Sequence, residues 1–372
     1  MQVNTQNLLR QVLVFGQSLW YDGLLSVKEF ETMIREDGIR GATTNPTIFE
    51  KALAGGEYDA LIQKSLSEGK HPEDIYKTQA VRTVRDVADV FLPVFKETRG
   101  GDGFVSIEVS PLLARDTEGT LREARELHGL VSRENVMIKV PATREGIPAI
   151  QKLISEGIHV NVTLIFSLER YREVMNAYLE GLEDRAKKGL PVGQIASVAS
   201  FFVSRVDTAV DTLLEQKIAG ETSETKKETL KNLLGKAAIA NSKLAYREFE
   251  SVFSSPRFKE LEKKGAGKQR PLWASTGTKN PAYSDVVYVE ALIGPETVDT
   301  MPPATLDAFK DHGHAASRVK EGVSGADKIL QALEKEGISL TKITQALEEA
   351  GVHSFSESYE KILKRIREKR AA

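Results

Sequence analysis

The sequence predicts an α/β fold, a single (β/α)₈ TIM-type barrel with a helical insertion and a C-terminal helical tail. Three observations carry that expectation. Short runs rich in Val, Ile, Phe and Thr alternate with longer stretches of helical pattern, the order of repeated βα units around a parallel sheet. Eight such runs occur, the number that a closed barrel uses. The chain of 372 residues, 41% hydrophobic and 28% charged, suits one large barrel with additions, although its length alone would also suit two ordinary domains.

The expected strands are Ser18 to Asp22, Ile39 to Asn45, Phe104 to Ser110, Val136 to Pro141, His159 to Phe166, Ala196 to Val203, Pro271 to Ser275 and Val298 to Met301. Between the first two, Ser26 and Glu29 form a capping box that opens a helix, and Gly38 stops it. TLREARELHGLV leads from the third strand to the fourth, and LERYREVMNAYLEGLEDRAKKG follows the fifth. Each is long enough to cross back over a parallel sheet. Residues 221–268 read as a charged helical insertion before the seventh strand, and residues 313–372 as a helical extension that packs on the barrel or on another subunit. All of this is expected to be one domain.

Lys and Arg number 51 against 53 Asp and Glu, a formal charge of -2, so no global field recruits nucleic acid or an anionic membrane. The sequence has no cysteine, which excludes disulfides, thiolate catalysis and Cys-ligated metals. The opening residues lack the basic, apolar and small-residue order of a leader, and no run of ~18 apolar residues occurs. A cytoplasmic protein, monomeric or homodimeric, is expected.

In a parallel sheet covered on both faces, strands should be almost continuously hydrophobic. Several here are not. In NVMIKVP, Val136, Ile138 and Val140 share one face and place Lys139 on the other. Val105, Ile107 and Val109 face out while Ser106 and Glu108 face in; Val160, Val162 and Leu164 face out while Asn161 and Thr163 face in. Trp20 and Asp22 share one parity, and TTNP ends the second strand at Asn45. Asp22, Asn45, Glu108 and Lys139 are therefore expected at the C-terminal ends of the strands, where barrels gather their catalytic groups.

Burial disfavours the charged form of an amine, and a neutral amine attacks ketones. The resulting iminium is an electron sink for breaking the adjacent C–C bond, and the sequence of steps needs carboxylates to move protons. Glu108 and Asp22 are available for that work. Against this stands a plain buried ion pair between Lys139 and Glu108. The convergence of so many polar side chains on one volume favours function, because burying them together is costly.

An anion site is expected where SFFVSRVD turns from strand to helix, at Ser200, Ser204 and Arg205, and in the loop WASTGTKNP, at Ser275, Thr276, Gly277 and Lys279. Other signals are set aside. GAGKQ lacks the features of a P-loop, His312 and His314 lack a third metal ligand, and GGDG at 100–103 is a turn before a strand. No metal, nucleotide or nicotinamide cofactor is expected.

The segments GATTNPTIFEKA, GFVSIEVSPLLARDT, NVMIKVPATREGIPAI, HVNVTLIFS and ASVASFFVSRVD resemble those of transaldolases in their longer bacterial form, in the same order and over nearly the whole chain. The resemblance implies that Lys139 forms the Schiff base and that Asp22 is the acid/base group at the cleaved bond. Glu108 with Thr163 would hold the catalytic water. Thr43, Asn45 and Asn161 would orient the sugar hydroxyls, and Ser200, Arg205 and Ser275 would receive the phosphate. Phosphorylated sugars are the implied partners. The implied reaction moves dihydroxyacetone from sedoheptulose 7-phosphate to glyceraldehyde 3-phosphate in the non-oxidative pentose phosphate pathway. Two departures matter. Thr276 and Lys279 stand where shorter relatives have an Arg after the seventh strand, and Phe202 stands where related aldolases carry Tyr. The alternatives are an aldolase of the same fold that releases free dihydroxyacetone, and a catalytically silent barrel that binds a protein partner.

Overall fold

A computed structural model describes residues 7–56 and 58–369. The first six residues of the opening stretch and the last three of the helical extension lie outside the described residues. Eight parallel strands close on themselves in chain order: β1 (Gln17–Asp22), β2 (Gly41–Thr43), β3 (Phe104–Glu108), β4 (Val136–Pro141), β5 (Val160–Ile165), β6 (Ser197–Phe202), β7 (Arg270–Ala274) and β8 (Thr297–Met301). β8 pairs back onto β1. The expected barrel is thus present, with each strand where the sequence placed it.

Strand ends differ from expectation most at β2. Ile39 to Asn45 was expected, but only three residues pair, because Pro46 sits at the first position of the helix Pro46–Ala54 and Asn45 becomes its N-cap. Proline is preorganised for that position, so the chain turns into helix earlier than hydrophobicity suggests. The capping box at Ser26 and Glu29 forms as read.

Outward residues Val105, Ile107, Val136, Ile138, Val140, Val160 and Val162 are all buried under the helical layer. Alternation fails only at Leu164. There the pairing of β5 with β6 slips between Val162 and Ile165, and Leu164 takes a φ of 59°. Inside the barrel, Trp20 fills the space above Gly41, where an added Cβ would lie 2.7 Å from the indole. Only glycine allows that approach.

The N-terminal end of the barrel is closed by polar contacts. Asp102 accepts from Ser18 Oγ at 2.5 Å, Trp20 Nε1 at 3.1 Å and Arg270 Nη2 at 2.9 Å. A cleft of about 1050 Å³ opens below this plug, lined in part by Arg40 and Asp102. It lies at the end of a barrel that serves stability rather than catalysis.

Between β6 and β7 lie the helices Ser204–Gly220, Glu224–Lys231, Ala237–Phe253 and Pro256–Glu262. The charged Glu224–Lys231 is mostly exposed, whereas Ala237–Phe253 buries Ala245, Tyr246, Phe249 and Phe253 against the barrel. Asp207 ties this layer together, accepting from Ala238 N at 2.7 Å and Tyr288 Oη at 2.9 Å. In the C-terminal region, Val323–Lys335 packs on Ala237–Phe253. The final helix, Leu340–Glu368, crosses the C-terminal end of the barrel, touching β5 and the turn Pro111–Leu113 that follows β3. Among the described residues no helix is long and apolar enough to cross a membrane.

Candidate active site

Three adjacent strands place the central groups. The β3–β4 pairing sets Glu108 beside Lys139, and the β4–β5 pairing sets Lys139 beside Asn161, so the three stand in one row across the sheet. Only 4% of Lys139 is exposed. Its Nζ donates to the carbonyl of Thr44 at 3.2 Å and lies 3.4 Å from Glu108 Oε2. Burial pushes the Glu108 carboxyl up to about 7, against the opposing pull of the Lys139 charge, and the Asp22 carboxylate adds to the rise. Glu108 Oε2 accepts no hydrogen bond among the described residues, and neither does the buried Thr163 Oγ1 make one. A buried polar atom without a hydrogen-bond partner calls for an explanation, and both of these sit on strands that flank the one carrying Lys139.

Asp22 closes β1, paired in register with Thr43. Thr43 Oγ1 donates to Asp22 Oδ1 at 2.7 Å and also contacts Thr300 Oγ1 at 2.6 Å. Since Thr43 has one hydroxyl proton and gives it to Asp22, Thr300 is the donor to Thr43. Burial raises the Asp22 carboxyl, while Lys139, the Thr43 bond, Lys51 and Lys279 pull it down. Asp22 and Lys139 therefore share one electrostatic environment.

Asn161 is held on both sides. Its Nδ2 donates to Ser106 Oγ at 3.0 Å, and its Oδ1 accepts from Ser200 Oγ at 2.7 Å. This fixes the amide and leaves one N–H for another partner. Asn45 Oδ1 caps the backbone N–H of Ile48 at 3.0 Å, so its remaining donors are on Nδ2. Ser200, read from the sequence together with Arg205, is bonded to Asn161 inside the barrel.

The second cluster lies where β6 and β7 end. Ser204 Oγ contacts Ser275 Oγ at 3.0 Å, and Ser204 N donates to the Ser275 carbonyl at 3.0 Å. Ser275 is held at a φ of 56°, a conformation that a non-glycine residue adopts only under constraint. The Arg205 guanidinium stands 5.5 Å from the Phe202 ring and makes no hydrogen bond among the described residues. Lys279 is exposed. Thr276 is committed elsewhere, donating to Asp299 Oδ1 at 3.0 Å.

Asp299 was not singled out in the sequence. It is fully buried in β8, its Oδ2 has no partner among the described residues, and burial pushes its carboxyl up to about 8. The folded protein therefore holds a proton that the unfolded chain releases near the ordinary carboxyl value, so this group lowers stability as pH rises from about 4 to about 8. We expect Asp299→Asn to lose less thermal stability than the parent between pH 5 and pH 8, by about 2 °C or more in Tm. Parallel curves from calorimetry at the two pH values would contradict this.

Sequence reasoning also missed the Thr44 carbonyl and Thr300, which carry no signal as individual residues. Phe355 was missed too: its ring centroid lies 5.8 Å from Lys139 Nζ. A signal for it existed, since Gly351, Phe355 and Tyr359 recur at helical spacing in the tail and all three are buried.

Comparison with known proteins agrees with this geometry. The family model described as transaldolase/fructose-6-phosphate aldolase matches residues 19–366. A transaldolase of Thermobifida fusca is 47% identical over 370 residues, 98% of each chain. A transaldolase of Trichodesmium erythraeum is 46% identical over 371 residues, 98% of this chain and 97% of its own. A protein named transaldolase 2 from Nostoc sp. is 42% identical over 366 residues, 96% of each chain. A barrel with a buried lysine paired to a carboxyl at its catalytic end, and likeness along almost its full length, place this chain in the transaldolase/fructose-6-phosphate aldolase family.

Proposed function

We propose that Lys139 carries the transaldolase reaction of this chain through a Schiff base, with Glu108 and Asp22 moving the protons. The observation that carries the reading is the buried Lys139–Glu108 contact at 3.4 Å, beside Asp22 and inside the barrel. The Lys139 amine attacks the keto carbon of the donor to give a carbinolamine. Glu108, whose carboxyl titrates near neutrality, donates a proton to the departing hydroxyl and takes one back on hydrolysis. Thr163 Oγ1, also without a partner, would share with Glu108 Oε2 the water that leaves and returns. The iminium then draws electrons from the adjacent bond while Asp22 accepts the hydroxyl proton of the cleaving carbon. The enamine that remains attacks the acceptor aldehyde, and the steps run in reverse. No added cofactor is needed, because the iminium is itself the electron sink.

Thr43 orients Asp22, and Asn161, fixed by Ser106 and Ser200, would hold a sugar hydroxyl through its free N–H. We place Ser200 with Asn161 rather than with the phosphate, since its hydroxyl is already donated. Asn45 would reach a hydroxyl through Nδ2. Ser275, Arg205 and Lys279 would receive the phosphate, joined by backbone N–H groups at the head of the helix Ser204–Gly220. We expect Arg205→Ala to raise KM for phosphorylated substrates by about tenfold or more with kcat changed little. An unchanged KM would move the phosphate elsewhere.

In this reading the substrates are small sugar phosphates, and the enzyme is cytoplasmic, monomeric or homodimeric, and binds neither nucleic acid nor membrane. Fructose 6-phosphate, supplied with and without erythrose 4-phosphate, tests the activity. A transaldolase turns over appreciably only when the acceptor is present; equal turnover without it would make the protein an aldolase. Borohydride reduction in the presence of fructose 6-phosphate should add a three-carbon or six-carbon adduct to the peptide containing Lys139, and its absence would overturn the reading.

A further inference from the structure

The C-terminal helix is fastened to the barrel on both sides of Lys139, at the end of β5 and just after β2. Gly351 meets Leu164 at the end of β5, so closely that an added Cβ would lie 2.8 Å from Leu164 Cδ2. Glycine is unfavourable inside a helix, and here it permits the contact with a residue itself held at positive φ. On the other side, Ser358 Oγ contacts Thr47 Oγ1 at 2.9 Å, just after β2. One turn of helix from Gly351, and close to Ser358, comes Phe355. It is 4% exposed, and its ring faces Lys139 Nζ from 5.8 Å. Tyr359, one turn further on, packs edge-on against Tyr76 with centroids 5.3 Å apart. Both flanks of Phe355 are thus pinned to the barrel, and the ring has little freedom to leave.

Such a ring has a specific consequence for the three-carbon intermediate. After donor cleavage the unit is attached to Lys139 as an enamine with two possible fates. In transfer, its nucleophilic carbon forms a bond to the acceptor aldehyde carbon. In release, that carbon takes a proton to give the iminium, water adds to the carbon bound to Nζ, and the C–N bond breaks. That hydrolysis takes back the one water expelled when the Schiff base formed, so release consumes no net water, and free dihydroxyacetone and the amine are restored. The chemistry of the lysine is common to both fates. Both fates end in hydrolysis of an iminium at Nζ, so what separates them is whether the enamine carbon meets a proton or the acceptor aldehyde first, and an apolar ring over the adduct keeps water from delivering that proton.

We propose that Phe355 is a specificity-determining residue that favours transfer over release by covering the Lys139 adduct with its ring. The inference rests on the Schiff-base reading above. It is tested by measuring, in the full-length protein, the rate of dihydroxyacetone release from fructose 6-phosphate alone and the rate of transfer to erythrose 4-phosphate. In Phe355→Ala the ratio of release to transfer should rise by about tenfold, and in Phe355→Leu, which restores an apolar cover, it should stay within about twofold of the parent. A purely structural role would lower both rates together and leave the ratio unchanged in both variants, which would overturn the proposal. Should Phe355→Ala not fold, Phe355→Val gives the same readout with a smaller opening, and an unchanged ratio there overturns it equally. Borohydride trapping is run alongside. Failure to trap the parent enzyme at Lys139 removes the Schiff-base reading, whereas intact trapping with an unchanged ratio removes only the role of Phe355.

Discussion

Lys139→Ala is expected to abolish both borohydride trapping and turnover, with a loss of about 10⁴-fold or more in kcat. The size follows from the mechanism. Without the amine there is no iminium, and nothing else in the cavity can accept the electron pair from the breaking C–C bond. Asp22, Glu108, Thr163 and Asn161 are proton carriers or hydrogen-bonding groups, and no second amine lies in the row formed by Glu108, Lys139 and Asn161. The fold should survive. Removing Lys139 leaves Glu108 buried without its cation, but a carboxyl already pushed up to about 7 by burial can become neutral rather than remain an unpaired charge. Circular dichroism and a melting curve of the variant check that loss of activity is not loss of structure. Residual trapping on any other peptide would show that the nucleophile has been misassigned.

The second large effect separates bond cleavage from adduct formation. Asp22→Ala should lower kcat by roughly 10²–10⁴-fold, the range for losing a general acid or base, while the adduct at Lys139 still forms. The geometry supports that division. Asp22 is on β1 and oriented by Thr43, whereas Glu108 stands directly beside the amine on β3. Rapid mixing with fructose 6-phosphate and borohydride, followed by mass analysis, measures adduct formation apart from turnover. Equal loss of trapping and turnover would assign Asp22 to dehydration rather than cleavage.

How much of this was legible in the chain depends on the kind of signal. Lys139, Glu108, Asn161 and Thr163 could be read because strands have period two: a polar side chain between valines must point away from the helical layer. Asp22 followed from the same argument with Trp20. β2 was harder, since only three of its expected residues pair, and Asn45 turned out to be a helix cap that no alternation rule would separate from a strand end. Leu164 defeated alternation because a register slip lies within its strand. The region 221–268 read as a charged helical insertion, yet Ala237–Phe253 buries three aromatic residues beneath that charge, Tyr246, Phe249 and Phe253, and the next helix buries a fourth, Phe258.

Local pattern in the chain was enough for the eight strands, the inward direction of the lysine and carboxylates, and the end of the barrel at which they collect. Those features depend on periodicity and on turn chemistry, which act over a few residues and can be counted along the sequence. The partners were settled only by closure in three dimensions: Thr44 and Glu108 at the lysine nitrogen, Thr300 behind Thr43, Thr276 on Asp299, and Phe355 brought back from the far end of the chain. The reason is that a contact between Lys139 and Phe355 spans more than half of the chain, and no local preference of either residue encodes it. Packing of the whole barrel and its final helix brings them together.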